Sequence, residues 1–195
     1  IYGARKTPTW QFSAVITGVA LNPTWYVPRS IEVGEGLDDL LRERPARAAQ
    51  LGYYRGEDGG VRQRPGPRNP LGQMKLIMPN PFSVFLHDTP AKDLFNRETR
   101  AYSHGCIRVD GALEFAQSLL APNWSAEAVA DAVATGSTVT ADLEEPIPVY
   151  VAYFTATAGA DGKNVRLTDV YDLDEIILRD LRRKTLKTST SRESL

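Results

Sequence analysis

The chain has 195 residues and a mass of 21.5 kDa, with 42% hydrophobic and 24% charged residues and a net charge of −1. That length suits one domain, or one domain with an insertion, burying about two-thirds of its unfolded surface without help from disulfides or metals. No apolar run reaches the roughly 18–20 residues of a membrane span, no global basic footprint marks a nucleic-acid partner, and one cysteine excludes an internal disulfide. The first residue is Ile1 rather than Met, which is expected of a chain with a removed leader or a trimmed end.

In chain order, Trp10 to Val19 alternates loosely and predicts a strand, broken by Asn22-Pro23 and Pro28. Gly36 to Gln50 places Leu37, Leu40 and Leu41 on one helical face, with Pro45 dividing the helix. Gly52 to Gly72 is rich in Gly, Pro and Arg and predicts a loop or short hairpin, the kind of long irregular stretch a functional flap occupies. Residues 42–68 hold seven arginines against three acids, and 110–180 hold thirteen acids against three basic residues. The arginine-rich stretch either holds a carboxylate-bearing ligand or is a solvated face.

Met74 to Met78 and Phe82 to His87 predict two strands around the turn Pro79-Asn80-Pro81, with His87 at the end of the second. Residues 88–103 lack periodicity and read as an ordered loop. Asp110 is a candidate cap for a helix through Leu120, and Ser125 for one ending near Gly136. Thr138 to Leu143, Ile147 to Thr155 and Val165 to Thr168 predict strands, with a turn at Asp161-Gly162. Asp174 to Arg183 predicts a terminal helix, followed by a polar tail, 181–195, expected to be disordered. The order describes a β-rich α+β domain with a mixed sheet and a helical-loop insertion, not a doubly wound fold.

Every histidine and cysteine lies between positions 87 and 106. Ser103-His104-Gly105-Cys106-Ile107-Arg108 follows His87 after fifteen intervening residues. A thiol needs a neighbouring base or positive charge to become a nucleophile at neutral pH. His87, on a separate strand, can fold back beside Cys106. His104, two residues from the thiol, is worse placed for proton transfer and suits a supporting role. Gly105 permits an unusual backbone, so the amides of His104, Gly105 and Cys106 can converge on a developing oxyanion. Arg108 can bind a substrate carboxylate or support the site. A buried inert thiol is the bland alternative. A zinc site on His87, His104 and Cys106 is disfavoured by the two-residue spacing, and no metal is expected.

The pattern from His87 to Ser103-His104-Gly105-Cys106-Ile107-Arg108-Val109 resembles the signature of L,D-transpeptidase catalytic domains of the YkuD type. Asn22-Pro23-Thr24-Trp25-Tyr26-Val27-Pro28, Arg64 to Gly72, Leu86-His87-Asp88-Thr89-Pro90 and Ile147 to Tyr150 resemble segments of the large Gram-negative, YcbB-like branch. The resemblance covers roughly 1–175 and sets the expected domain at 1–180, with a lid over about 31–68. It implies a YkuD-like fold and a periplasmic peptidyltransferase acting on peptidoglycan stem peptides. Cys106 would attack the third stem residue, usually meso-diaminopimelate, and His87 would take its proton. Ser103, His104 and Gly105 would support the oxyanion, with Arg108, Trp25, Tyr26, Asn69 and Asp88 near substrate. Terminal D-alanine would leave from a tetrapeptide donor, and the amine of a second stem's diaminopimelate would accept the acyl group in a 3–3 cross-link. Carbapenem-type inhibitors would acylate the same cysteine, and no cofactor is implied. Two departures stand out. The family's strands ahead of residues 1–20 are not visible, and Phe85 stands where the branch often has tyrosine. A hydrolytic relative using the same acyl-enzyme and a non-catalytic wall-binding module are the competing functions. A sortase-like enzyme is disfavoured by the spacing.

Overall fold

The computed structural model describes residues 1–190, so the last part of the expected tail, 191–195, lies outside the described residues. The elements run β1 (Tyr2–Gly3), β2 (Phe12–Leu21), β3 (Trp25–Tyr26), α1 (Arg29–Gly34), α2 (Leu37–Glu43), α3 (Pro45–Gln50), β4 (Tyr53–Arg55), β5 (Val61–Gln63), β6 (Met74–Ile77) and β7 (Leu86–His87). A 3₁₀ turn at Lys92–Asn96 precedes β8 (Ala101–Ser103), β9 (Ile107–Arg108), α4 (Ala112–Leu120), α5 (Ala126–Ala134), β10 (Val139–Val151), β11 (Ala156–Ala158), β12 (Asn164–Arg166) and α6 (Asp174–Thr190). The mixed α+β class is the one the sequence predicts. The chain divides into two compact units, with the division after Tyr150.

In the first unit a five-stranded sheet runs β10-β2-β6-β7-β9. β2 and β6 pair antiparallel, with Gly18 opposite Ile77 and Leu21 opposite Met74. Alternation sends Met74, Leu76 and Met78 to one face, where they are fully buried among Val19, Leu21, Ala112, Ala116 and Leu120. Each such side chain stabilises the fold by about 1.5–3 kcal/mol relative to exposure. Lys75 and Ile77 take the other face. Ser125 caps α5 by accepting from the Ala128 N–H, as expected. Asn22 ties the end of β2 to the end of α5, donating to the carbonyls of Ala132, Val133 and Ser137 at 3.2, 2.9 and 3.2 Å.

The insertion is more ordered than its composition implies. Pro45 starts α3 and so separates it from α2, as the sequence predicts. The Gly/Arg-rich stretch folds back as the β4–β5 hairpin, and β3 completes a small sheet in the order β3-β5-β4. The six-residue α1 escaped prediction because it is too short to show a period.

Four boundaries are corrected. Of the run Phe82 to His87 only Leu86–His87 is strand, because Asn80 organises a wider loop: its Oδ1 accepts from Phe82 and Val84, and its Nδ2 donates to Met78 and Val84. The expected loop 88–103 contains the 3₁₀ turn and β8. Helix α4 starts from Gly111, with φ +58°, not from Asp110, whose carboxylate instead accepts from the Gly111 N–H. The two strands expected over 138–155 are one continuous edge strand, β10, which tolerates Pro146 and Pro148 because an edge leaves N–H positions unpaired.

In the second unit, β11 and β12 form the antiparallel hairpin whose turn was expected at Asp161-Gly162. Tyr153 and Tyr171 pack with ring centroids 4.9 Å apart, and Asp169 accepts from the Tyr153 hydroxyl at 2.9 Å. Helix α6 begins at Asp174 as predicted but runs past Arg183 to Thr190.

Candidate active site

Register brings the chemistry together. Lys75 on β6 is directly opposite His87 on β7, and His87 is the parallel partner of Arg108 on β9. Paired residues share a face, as do residues two apart along a strand. Phe85, two before His87, and Cys106, two before Arg108, therefore join the same strip. The Ile107 N–H donates to the Phe85 carbonyl at 2.9 Å, so the β7–β9 pairing extends to that row. The Lys75 ammonium confirms the geometry by lying 4.3 Å from the centre of the Phe85 ring.

His87 is only 4% exposed. Its Nδ1–H donates to the carbonyl of Asp88, which leaves Nε2 as the acceptor. The Asp88 carboxylate is itself held by the Gln73 N–H at 2.9 Å and by the Lys92 ammonium. Gly72 makes that arrangement possible: its φ is +60°, and a Cβ there would stand 2.3 Å from Asp88 Oδ2. Burial pushes the imidazolium down to about 4; the Asp88 hydrogen bond opposes this, while the Arg108 and Lys75 charges add to it.

Cys106 is half-buried and reduced. Its thiol donates to the Ser83 carbonyl at 3.7 Å, in a loop where Ser83 itself has φ +52°. Burial pushes the thiol up; the Phe85 backbone hydrogen bond and the Lys75 and Arg108 charges pull it back. The resting groups are thus a neutral thiol and a neutral imidazole, a pair on one face of the sheet. Such a pair can pass its proton to Nε2 as attack begins, after the thiol turns away from Ser83.

The loop ahead of Cys106 is held by polar bonds rather than apolar burial. Ser103, 3% exposed, donates through its hydroxyl to the Cys106 carbonyl and accepts from the Gly105 N–H at 3.1 Å. Thr7 and Thr9 donate to the carbonyls of Ser103 and Gly105 at 3.0 and 2.9 Å. Gly105 has φ +115°, a conformation for which glycine is suited. The expected trio of free amides is corrected in one member, since the Gly105 N–H is engaged by Ser103. Among the described residues the His104 and Cys106 amides donate to no protein acceptor.

The other predicted residues divide. Arg108 is on the strip, with its Nε buried and without a partner among the described residues. His104 is exposed. Asn69, 1% exposed, is saturated by backbone: it donates to the carbonyls of Pro23, Arg64 and Gln63 and accepts from the Leu71 N–H at 2.9 Å. That removes it from substrate contact and makes it a knot closing the base of the insertion. Asp88 likewise has both carboxylate oxygens occupied and orients His87. Trp25 and Tyr26 sit on the insertion's small sheet, Tyr26 beneath the Arg62 guanidinium at 4.6 Å. Lys75, the Ser83 carbonyl and the two threonines were missed; only Lys75, a lone charge inside an apolar run, left a readable signal. Among the described residues, no cluster of three or more His, Cys, Asp or Glu side chains is placed to hold a metal ion.

The model of the L,D-transpeptidase catalytic domain (YkuD) matches residues 1–151. A Haemophilus influenzae protein provisionally named an L,D-transpeptidase is 29% identical over 195 aligned residues, covering 89% of this chain and 39% of that protein.

Proposed function

The chain belongs to the L,D-transpeptidase catalytic-domain family, and from that premise we propose that it is a cysteine peptidyltransferase of the bacterial cell envelope, working on periplasmic peptidoglycan. The observation that carries the reading is the β7–β9 register, which puts His87 and Cys106 on one face of the sheet. The thiol of Cys106 attacks the carbonyl of the third stem residue while its proton passes to His87 Nε2. The tetrahedral oxyanion takes hydrogen bonds from the His104 and Cys106 amides. Collapse breaks the peptide bond, and the proton on His87 leaves with the amine of terminal D-alanine. An amine of a second stem attacks the thioester, gives its proton to His87 and restores the thiol. The product is a 3–3 cross-link when that amine belongs to diaminopimelate.

The test is incubation of the full chain with purified disaccharide-tetrapeptide, with products separated by mass spectrometry. Dimers lacking one D-alanine, absent with Cys106→Ala, are the expected result. Tripeptide monomers alone would instead make water the acceptor. A carbapenem is expected to leave a stable mass adduct on the native chain and none on Cys106→Ala.

A further inference from the structure

Lys75 has no part in the transfer just described, yet it stands in the middle of the reactive strip. It is half-buried, its register partner is His87, and its side chain leans along β7 so that the ammonium lies over the Phe85 ring. The β9 neighbour of Phe85 in that row is Cys106. Among the described residues Lys75 forms no ion pair, and its ammonium has an aromatic face for a seat.

We propose that Lys75 is a positioning residue for the nucleophile: held by Phe85, its fixed positive charge faces Cys106 and favours the thiolate over the thiol. The groups facing the sulfur are few. β6 contributes Lys75, the residue before β7 contributes the Phe85 N–H, β9 contributes Arg108, and the loop at Ser83 contributes its carbonyl, while His87 shares the same face through its pairing with Arg108. The carboxylate that follows His87, Asp88, is occupied by Gln73 and Lys92, and Asp110, two residues past Arg108, is exposed. Among the described residues, no acidic side chain on the strip pairs with Lys75. A cation on one side of a half-buried sulfur acts through a medium of lower dielectric than water, where its effect is large. Burial of the ammonium lowers its own proton affinity and Cys106 raises it, so each group senses the other. The ring at position 85 also acquires a purpose without a hydroxyl, as the platform for this charge.

The proposal deepens the reading of Cys106 as the nucleophile, and its test is independent of any peptidoglycan substrate. Cys106 is the sole cysteine, so iodoacetamide alkylation followed by intact mass reports it alone. The pH midpoint of the alkylation rate is expected to rise by about one unit in Lys75→Met, a roughly tenfold loss of thiolate near neutrality. Lys75→Arg is expected to return the midpoint to the native position, which a purely structural role for the stem would not require. Near-UV circular dichroism checks folding, and Lys75→Gln carries the same comparison if Lys75→Met does not fold. An unchanged midpoint in the folded neutral variant, or a midpoint in Lys75→Arg equal to that of Lys75→Met, overturns the proposal. Failure of the cross-linking assay alone would leave it standing.

Discussion

In the insertion, cations meet carboxylates. Arg29 pairs with the buried Glu32 at 2.6 Å and with Asp38 at 3.3 Å; Arg55 joins the same two acids; Arg42 pairs with Asp39 at 2.5 Å and Arg62 with Asp58 at 3.1 Å. On the strip of β6, β7 and β9, Lys75 and Arg108 form no ion pair among the described residues, although both are half-buried. The difference teaches how to read positive charge. A paired arginine closes its own fold and presents little to a ligand, whereas an unpaired half-buried cation keeps an electrostatic demand that a thiolate or an incoming carboxylate can meet. The arginine-rich stretch at 42–68, a candidate carboxylate site by composition, is largely engaged within the insertion. The positive charge proposed to act at Cys106 comes from two residues outside it, Lys75 and Arg108.

The largest expected break in this contrast is at His87. Replacing it with alanine removes the acceptor for the thiol proton and is expected to lower acyl transfer by about 10²–10⁴-fold, with loss of the low-pH limb of the rate profile. The same residue gives a stability prediction. Its folded value, about 4, lies below the unfolded 6.5, so the unfolded state binds more protons between those values. Stability is therefore highest above pH 6.5 and falls as pH drops toward 4, by roughly 3 kcal/mol from this group. Urea unfolding at pH 7 and pH 4 should show that loss in the native chain, and it should shrink by about the same roughly 3 kcal/mol in His87→Asn. An equal loss in both would mean that the strip does not hold His87 neutral.

Much of the candidate centre was legible because its chemistry is written in residue types. One thiol, two histidines and a Gly beside the thiol leave few arrangements, and the fifteen-residue spacing separates the two candidate bases. The β6 run and the Ser125 cap were legible for the same local reasons. What was hidden is non-local or belongs to the backbone. Strands β7 and β9 are two residues each and pair in parallel across a connection that no periodicity announces. The Ser83 carbonyl has no side-chain signature at all. Asn69 misled in the opposite direction: a polar residue in a motif-like segment suggested substrate, but its amide bonds the backbone at four points.

Asn69 is the next sharpest test, because it holds the insertion by neutral bonds where the arginines use charge. Asn69→Ala leaves several buried carbonyls and the Leu71 N–H without a partner, at an expected cost of about 2–3 kcal/mol. The thiol midpoint and the KM for tetrapeptide should stay near native values while the thermal midpoint falls. A raised KM with unchanged stability would return Asn69 to the substrate site.

The smallest effect is expected at Glu32, and it tests whether the two charge regimes are separate. Its carboxylate side chain is 5% exposed, but its partners Arg29 and Arg55 are 69% and 44% exposed, so solvent screens both pairs. Glu32→Gln keeps an acceptor for Arg29 and removes the charge. The cost should therefore be about 1–2 kcal/mol, below that of breaking a fully buried pair. High salt should narrow the difference between native and variant, since the lost attraction is already weakened there. Alkylation of Cys106 should keep its native pH midpoint in the variant, because Lys75 and Arg108 owe nothing to the insertion's acids. A shifted midpoint would mean that the insertion's charges reach the thiol, and the contrast between paired and unpaired cations would have to be redrawn as one coupled field.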